Sequence, residues 1–266
     1  MLIYDYNQSV IKFVLKGRQR MNTKIKKIIF IMILTIFLPI YNTNAEEVYY
    51  TNKYNVGLTK EEYEFLSKFY WEGYQDDMTL NDYQEFVESN IMNGEFETVE
   101  INHLENEGLI LYSTSHETNS KTMKISKSCN SKCSISVVVT WKNVPNTKSY
   151  DVIGAYLDGV NLLSKVSTNA KASGITNSIF EIKKDNNGFG ASISLPTSGS
   201  SYVISQTYTV SKGGTVYASY QHAKSSISLA NSKNYTISRE GYGGVFKFSG
   251  IATNIYDAMG GVSITV

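Results

Sequence analysis

From Thr122 to the C-terminus the apolar residues recur with a period of two, a pattern that places one buried face on a strand and none on a helix. Ile135, Val137, Val139 and Trp141 point one way while Ser134, Ser136 and Thr140 point the other. Turn-forming clusters punctuate these runs. Asp158-Gly159 separates Tyr150–Leu157 from Val160–Val166, and Asp185-Asn-Asn-Gly188, Ser211-Lys-Gly-Gly214 and Gly241-Tyr-Gly-Gly244 follow before a last strand at Val262–Val266. Asp-Gly between two alternating runs is a strong two-residue hairpin signal. Roughly seven to nine antiparallel strands at this spacing predict a β-sandwich over 122–266.

The preceding residues obey a helical rule. LTKEEYEFL at 58–66 and MTLNDYQEF at 78–86 share one template. Thr59 and Thr79 can each cap a helix while Glu62 and Asp82 return the bond, a capping box. Leu58 with Tyr63 and Met78 with Tyr83 stand at the positions of a hydrophobic staple. Tyr63, Leu66, Tyr70 and Tyr74, widened by Phe65, Phe69 and Trp71, form one apolar face; Tyr83, Phe86, Val87 and Ile91 form another. Two such faces must bury each other or a third partner, so the aromatic stripe reads as core. Asp76-Asp77 with Asn81-Asp82 lacks the alternating ligand spacing of a calcium loop. Gly108–Tyr112 reads as a short strand or the start of a linker at 113–121. The expected fold is α+β: a small N-terminal helical hairpin over 46–112, followed by an all-β antiparallel sandwich.

Charge divides the chain at the same place. The formal net charge is +1, yet residues 1–45 carry seven Lys/Arg against Asp5, residues 46–110 carry three against sixteen acids, and residues 120–266 carry fifteen against six. An acidic front therefore precedes a basic back. The cationic leader belongs to a secretory signal peptide over 21–45: Lys24, Lys26 and Lys27, an apolar run from Ile28 to Ile40 broken by Pro39, and Thr43-Asn44-Ala45 before Glu46. The run is shorter than the about 20 apolar residues of a spanning helix, so cleavage between Ala45 and Glu46 and a secreted, extracellular destination are expected. Residues 1–20 resemble no targeting element, which makes Met21 the expected start and 1–20 an upstream extension.

The segment Val139-Thr-Trp-Lys-Asn-Val-Pro-Asn-Thr-Lys-Ser-Tyr-Asp-Val152 resembles the part of fibronectin type III domains where a buried Trp precedes a Tyr-x-Val strand; the resemblance implies a sandwich and ends there. With its Leu58-Thr-x-x-Glu-Tyr63 front and Gly-Gly-rich back, the chain also resembles uncharacterised secreted proteins of low-GC Gram-positive bacteria.

Motifs for catalysis are sparse. Cys129 and Cys133 are the only cysteines. An extended strand would hold them about 13 Å apart, so a disulfide, expected in an oxidising compartment, requires a turn between them. His103, His116 and His222 show no zinc-ligand spacing, and neither Gly-x-Ser-x-Gly nor Ser-x-x-Lys with its companions occurs. No cofactor, metal or nucleic-acid partner is expected. The densest polar constellation is Tyr217, Tyr220, His222 and Lys224, whose residue types suit contact with carbohydrate or an anionic polymer if they are exposed; cross-strand aromatic packing would use the same residues. The expected function is thus a secreted non-enzymatic binding or surface-interaction protein contacting an anionic envelope polymer or glycan. The alternatives are an antibacterial or pore-forming effector masked by its acidic segment, the one reading with membrane contact, and an extracellular hydrolase. N-terminal sequencing of the exported protein is expected to begin at Glu46; retention of residues 21–45 would refute the cleavage site.

Overall fold

The computed structural model describes residues 47–102, 121–239, 244–257 and 261–266. The signal segment with Ala45 and Glu46, the Gly108–Tyr112 stretch, residues 113–120 of the expected linker and Gly241–Gly243 of the last turn lie outside the described residues. Val48–Val266 forms one compact unit.

It opens with a ribbon of β1 (Tyr50–Thr51) and β2 (Gly57–Leu58), then helices α1 (Lys60–Phe69) and α2 (Leu80–Ser89). Next come β3 (Glu95–Asn102), β4 (Lys121–Cys129), β5 (Cys133–Trp141), β6 (Tyr150–Asp158), β7 (Ser167–Ala172) and β8 (Ile175–Asn177). The remaining strands are β9 (Phe180–Asp185), β10 (Gly188–Ser194), β11 (Tyr202–Val210), β12 (Thr215–Gln221), β13 (Tyr235–Ile237), β14 (Phe246–Phe248) and β15 (Val262–Thr265). A five-stranded sheet, β15-β12-β6-β10-β9, faces a six-stranded sheet, β3-β4-β5-β11-β7-β8, and every pairing is antiparallel. The period-two alternation supplies the seam. Ile125, Ile135, Val137, Val139, Ile204 and Tyr208 from the larger sheet meet Ile153, Phe189, Ile193, Val216 and Ile264 from the smaller, the β-sandwich arrangement that the alternation calls for.

Both outer faces are also covered. Residues 223–239 and 244–256, carrying Ile227, Tyr235, Phe246 and Tyr256, fold over the five-stranded sheet and pack with Val152, Tyr156 and Tyr217. The helices lie over the six-stranded sheet: Lys124 Nζ–H donates to the Lys68 carbonyl at 2.8 Å, and Phe65 meets Phe96 of β3 with centroids 5.6 Å apart. Each helix begins in a capping box, Thr59 with Glu62 and Thr79 with Asp82, as the shared template requires.

Several expectations are corrected. The helices do not form a self-contained hairpin. They touch at Phe65–Phe86, 6.1 Å apart, and where Tyr83 O–H donates to Glu62, while their apolar faces converge with the β1–β2 ribbon in a separate small core. The acidic stretch also supplies β3, which pairs with β4 from Glu95↔Cys129 to Asn102↔Thr122, so acidic and basic parts share one sheet. Lys121, expected in the linker, is a buried strand residue. Asp158-Gly159 is not a hairpin turn. It carries the chain from β6 in one sheet toward β7 in the other, as Ser211–Gly214 does between β11 and β12. The alternation in β11 and β12 therefore describes strands of two different sheets, with Tyr202, Ile204, Val216 and Ala218 all in the seam. Asp185–Gly188 does close a hairpin, between β9 and β10.

The β4–β5 hairpin is closed by a Cys129–Cys133 disulfide directly across the register. Closing so short a loop is worth about 2 kcal/mol in the chain-entropy model. Two glycines admit the covering aromatics. A Cβ at Gly190 would collide with the Tyr235 hydroxyl and come within 2.8 Å of Phe246 Cε1, and one at Gly154 would come within 2.9 Å of Phe246 Cζ. Gly190→Ala is accordingly expected to destabilise the protein by about 1–3 kcal/mol, read as a lowered urea midpoint; an unchanged midpoint would show that Tyr235 and Phe246 shift freely on the sheet.

Candidate functional site

Tyr217, Tyr220, His222 and Lys224 do not form the contact surface for which their residue types are suited. Tyr220 and His222 are 0% exposed, Tyr217 is half-buried beneath Arg239, whose guanidinium lies 4.5 Å from its ring centroid, and only Lys224 is exposed. Strand β12 is central in its sheet, and the chain after Gln221 turns over it, so both of its faces are covered.

The buried pair belongs to a charged cluster at the end of the seam. His222 Nδ1 lies 3.0 Å from both Asp151 oxygens, Tyr220 O–H donates to the same carboxylate, and Ala223 N–H donates to Asp151 Oδ1 at 2.9 Å. Asp257 accepts the His222 backbone N–H at 2.7 Å and pairs with Lys121. Lys121 Nζ lies 4.6 Å from the Trp141 ring centroid, and Trp141 Nε1–H donates to Tyr220 Oη at 3.2 Å. All four charged side chains are fully buried. Burial works against a charged imidazole, but Asp151 outweighs it and raises the His222 pKa above its ordinary value. The cluster is closed to ligand. Among the described residues no three His, Cys, Asp or Glu side chains converge as a metal site requires.

The open site is a cleft of about 730 Å³ between the helices and the outer face of the six-stranded sheet. One wall is aromatic. Tyr70 and Tyr74 stack with centroids 4.0 Å apart and planes at 17°, and Trp71 stands edge-on to Tyr74 at 4.8 Å. The facing floor presents Ser134 of β5, Asn169 of β7, and Ser205, Thr207 and Thr209 of β11. These are the outward members of alternating strands, polar because their neighbours fill the seam. Asp82 and Glu85 of α2 line the same cleft, with Lys165 across from them in the loop before β7. Burial pushes the Tyr70 hydroxyl up to about 12, and the charges of Asp82 and Glu85 add to the effect; burial also raises Tyr74 well above its ordinary value, with Tyr70, Asp82 and Glu85 adding. Both phenols are therefore neutral hydrogen-bonding groups at any physiological pH. Tyr208, between Thr207 and Thr209, turns instead into the seam, where its ring meets Phe189 edge-on at 4.8 Å and its hydroxyl has no hydrogen-bond partner among the described residues.

Two residues hold the aromatic wall. Buried Asn52 donates to the Gln75 and Met78 carbonyls at 2.8 and 2.7 Å, fixing the turn that follows Tyr74, while its Oδ1 accepts Tyr54 N–H and Val56 N–H at 2.9 and 3.0 Å. Lys171 of β7 reaches across to pair with Asp77 and lies 5.9 Å from the Trp71 ring. Burial lowers the Lys171 pKa, and neighbouring Lys53 lowers it further, against Asp76. Tyr70 and Tyr74 pack against the small core, as the reading of the stripe as core expects, and with half-buried Trp71 they also line this cleft. The Ser/Thr alternation of β11 was the one local sign of the floor.

The chain matches no protein-family model, no curated protein and no solved structure. Its own geometry therefore carries the functional reading.

A raised imidazole pKa means that the folded state holds its proton more tightly than the unfolded chain. The stabilisation from His222 is then fully present below the unfolded value of about 6.5 and is lost as pH rises through the folded-state value. Chemical denaturation across that window is expected to show stability falling with pH in the native sequence and a flatter profile in His222→Gln; equal slopes would refute the assignment.

Proposed function

We propose that the protein is a secreted, non-enzymatic glycan-binding protein whose ligand lies in the cleft between the helices and the six-stranded sheet. The observation that carries this is the opposition of the Tyr70–Trp71–Tyr74 wall to a floor of Ser134, Asn169, Ser205 and Thr207. A sugar ring has apolar C–H faces and a polar rim of hydroxyls. Aromatic faces suit the former, and short hydroxyl and amide side chains the latter.

Charge favours a glycan over a polyanion. Asp82 and Glu85 stand at the aromatic wall, and a phosphate-rich polymer would meet their carboxylates before reaching the floor. The same two acids support a binding rather than a hydrolytic role. They lie three positions apart on one helix face, whereas glycoside hydrolysis uses carboxyls on opposite sides of the scissile bond.

Trp71→Ala and Tyr74→Ala are each expected to weaken binding to isolated neutral wall polysaccharide about tenfold, with little dependence on ionic strength. Isothermal titration with neutral and polyanionic wall fractions tests this. Salt-sensitive binding to the polyanionic fraction alone, unaltered in both variants, would overturn the proposal.

A further inference from the structure

Among the described residues Lys121–Asp257 is the one pair of a lysine with a carboxylate in which both side chains are fully buried. Lys53–Asp77 and Lys233–Glu181 leave 56% and 28% of their lysine side chains exposed, whereas Lys121 and Asp257 are both 0% exposed. The two come from the first residue of β4 and from the segment just before β15, 136 positions apart, and neither carries water-facing surface. Two aromatic rings enclose the amine, Trp141 at 4.6 Å and Tyr220 at 5.6 Å from Nζ. A bare ion pair in such a place bears a large desolvation cost that its attraction need not recover.

We infer that Lys121 and Asp257 condense into an intramolecular amide that ties the start of β4 covalently to the segment leading into β15. Nζ gives one proton to the Asp257 carboxylate, and the resulting amine attacks Cγ. A second Nζ proton passes to Oδ2, which departs as water; Nζ keeps its third proton as the amide N–H. Ammonium and carboxylate thus become amide and water, with no oxidant, cofactor or activated intermediate.

The surroundings match each stage. His222 N–H, 2.7 Å from Asp257 Oδ1, donates to the oxygen that stays as the amide carbonyl and that bears negative charge during attack. Exclusion of water opposes the reverse hydrolysis. Holding amine and carboxyl in contact supplies the effective concentration, about 10⁵–10⁸ M for well-oriented intramolecular groups, that free amines and carboxylates lack. The Asp151–His222 pair adjoins the reacting groups: the His222 backbone N–H donates to Asp257, and the Trp141 ring lies 4.7 Å from the His222 ring and 4.6 Å from Lys121 Nζ. It positions Asp257 through the His222 backbone and does not itself form the bond.

Mass spectrometry of the purified full chain tests the link directly. Tryptic digestion is expected to yield a branched peptide joining residues 69–124 to residues 248–266, lighter by one water than their sum, with cleavage blocked after Lys121. Lys121→Arg keeps the charge but cannot form the link, and should release residues 248–266 as a free peptide. Asp151→Asn should slow linkage, leaving a mixture that converts with time. Free peptides of full mass from the unmodified sequence, or a water loss mapped to other residues, would overturn the inference. The native chain alone decides the question, so misfolding of a variant cannot obscure it, and the result is independent of glycan binding.

Discussion

The molecule depends on one constraint: a period-two strand has two faces, and in this chain both faces of both sheets require cover. The seam between the sheets is filled by aliphatic and aromatic residues from opposing strands. What remains outside would expose Phe96 and Ser126 on one side and Gly154, Gly190 and Tyr156 on the other. The helices cover part of the first surface and residues 223–239 and 244–256 the second. Four layers result, and each outer layer exists because an inner one would otherwise be wet on a partly apolar face.

That layering explains where the polar chemistry sits. Asp151, His222, Lys121 and Asp257 lie where the covering residues 223–239 and 244–256 adjoin the five-stranded sheet, and all four are fully enclosed. Four enclosed ionisable groups are costly unless they satisfy one another. Here each carboxylate accepts a backbone N–H besides its side-chain partner, and an amide between Lys121 and Asp257 would remove one pair of charges altogether. On the opposite side the helices meet the sheet only along part of its width, and the uncovered remainder is the cleft.

Local signals were legible and proved reliable where the physics is local. Thr59 with Glu62 and Thr79 with Asp82 cap helices because a side chain three residues away completes the turn. Cys129 and Cys133 pair because a tight turn brings them opposite each other. The same local chemistry misled at Asp158-Gly159 and Ser211–Gly214. A glycine with positive φ, such as Gly159 at 73°, reverses the chain equally well into a neighbouring strand or across to the facing sheet. Tyr220 and His222 read as candidate surface residues because alternation assigns a side chain to a face without saying what covers that face.

By itself the sequence determined the strand and helix periods and the helix starts, each settled within a few residues along the chain, and the opposed charge of its front and back; it set only the condition that a Cys129–Cys133 disulfide would need a turn. Only the tertiary structure decided that the acidic front contributes a strand to the basic sheet, that Tyr70, Trp71 and Tyr74 wall a cleft, and that Lys121 meets Asp257 across 136 positions. Burial is a property of what packs against a residue, and here those partners come from opposite ends of the fold. No periodicity or motif encodes that choice; the closure of both sheets does.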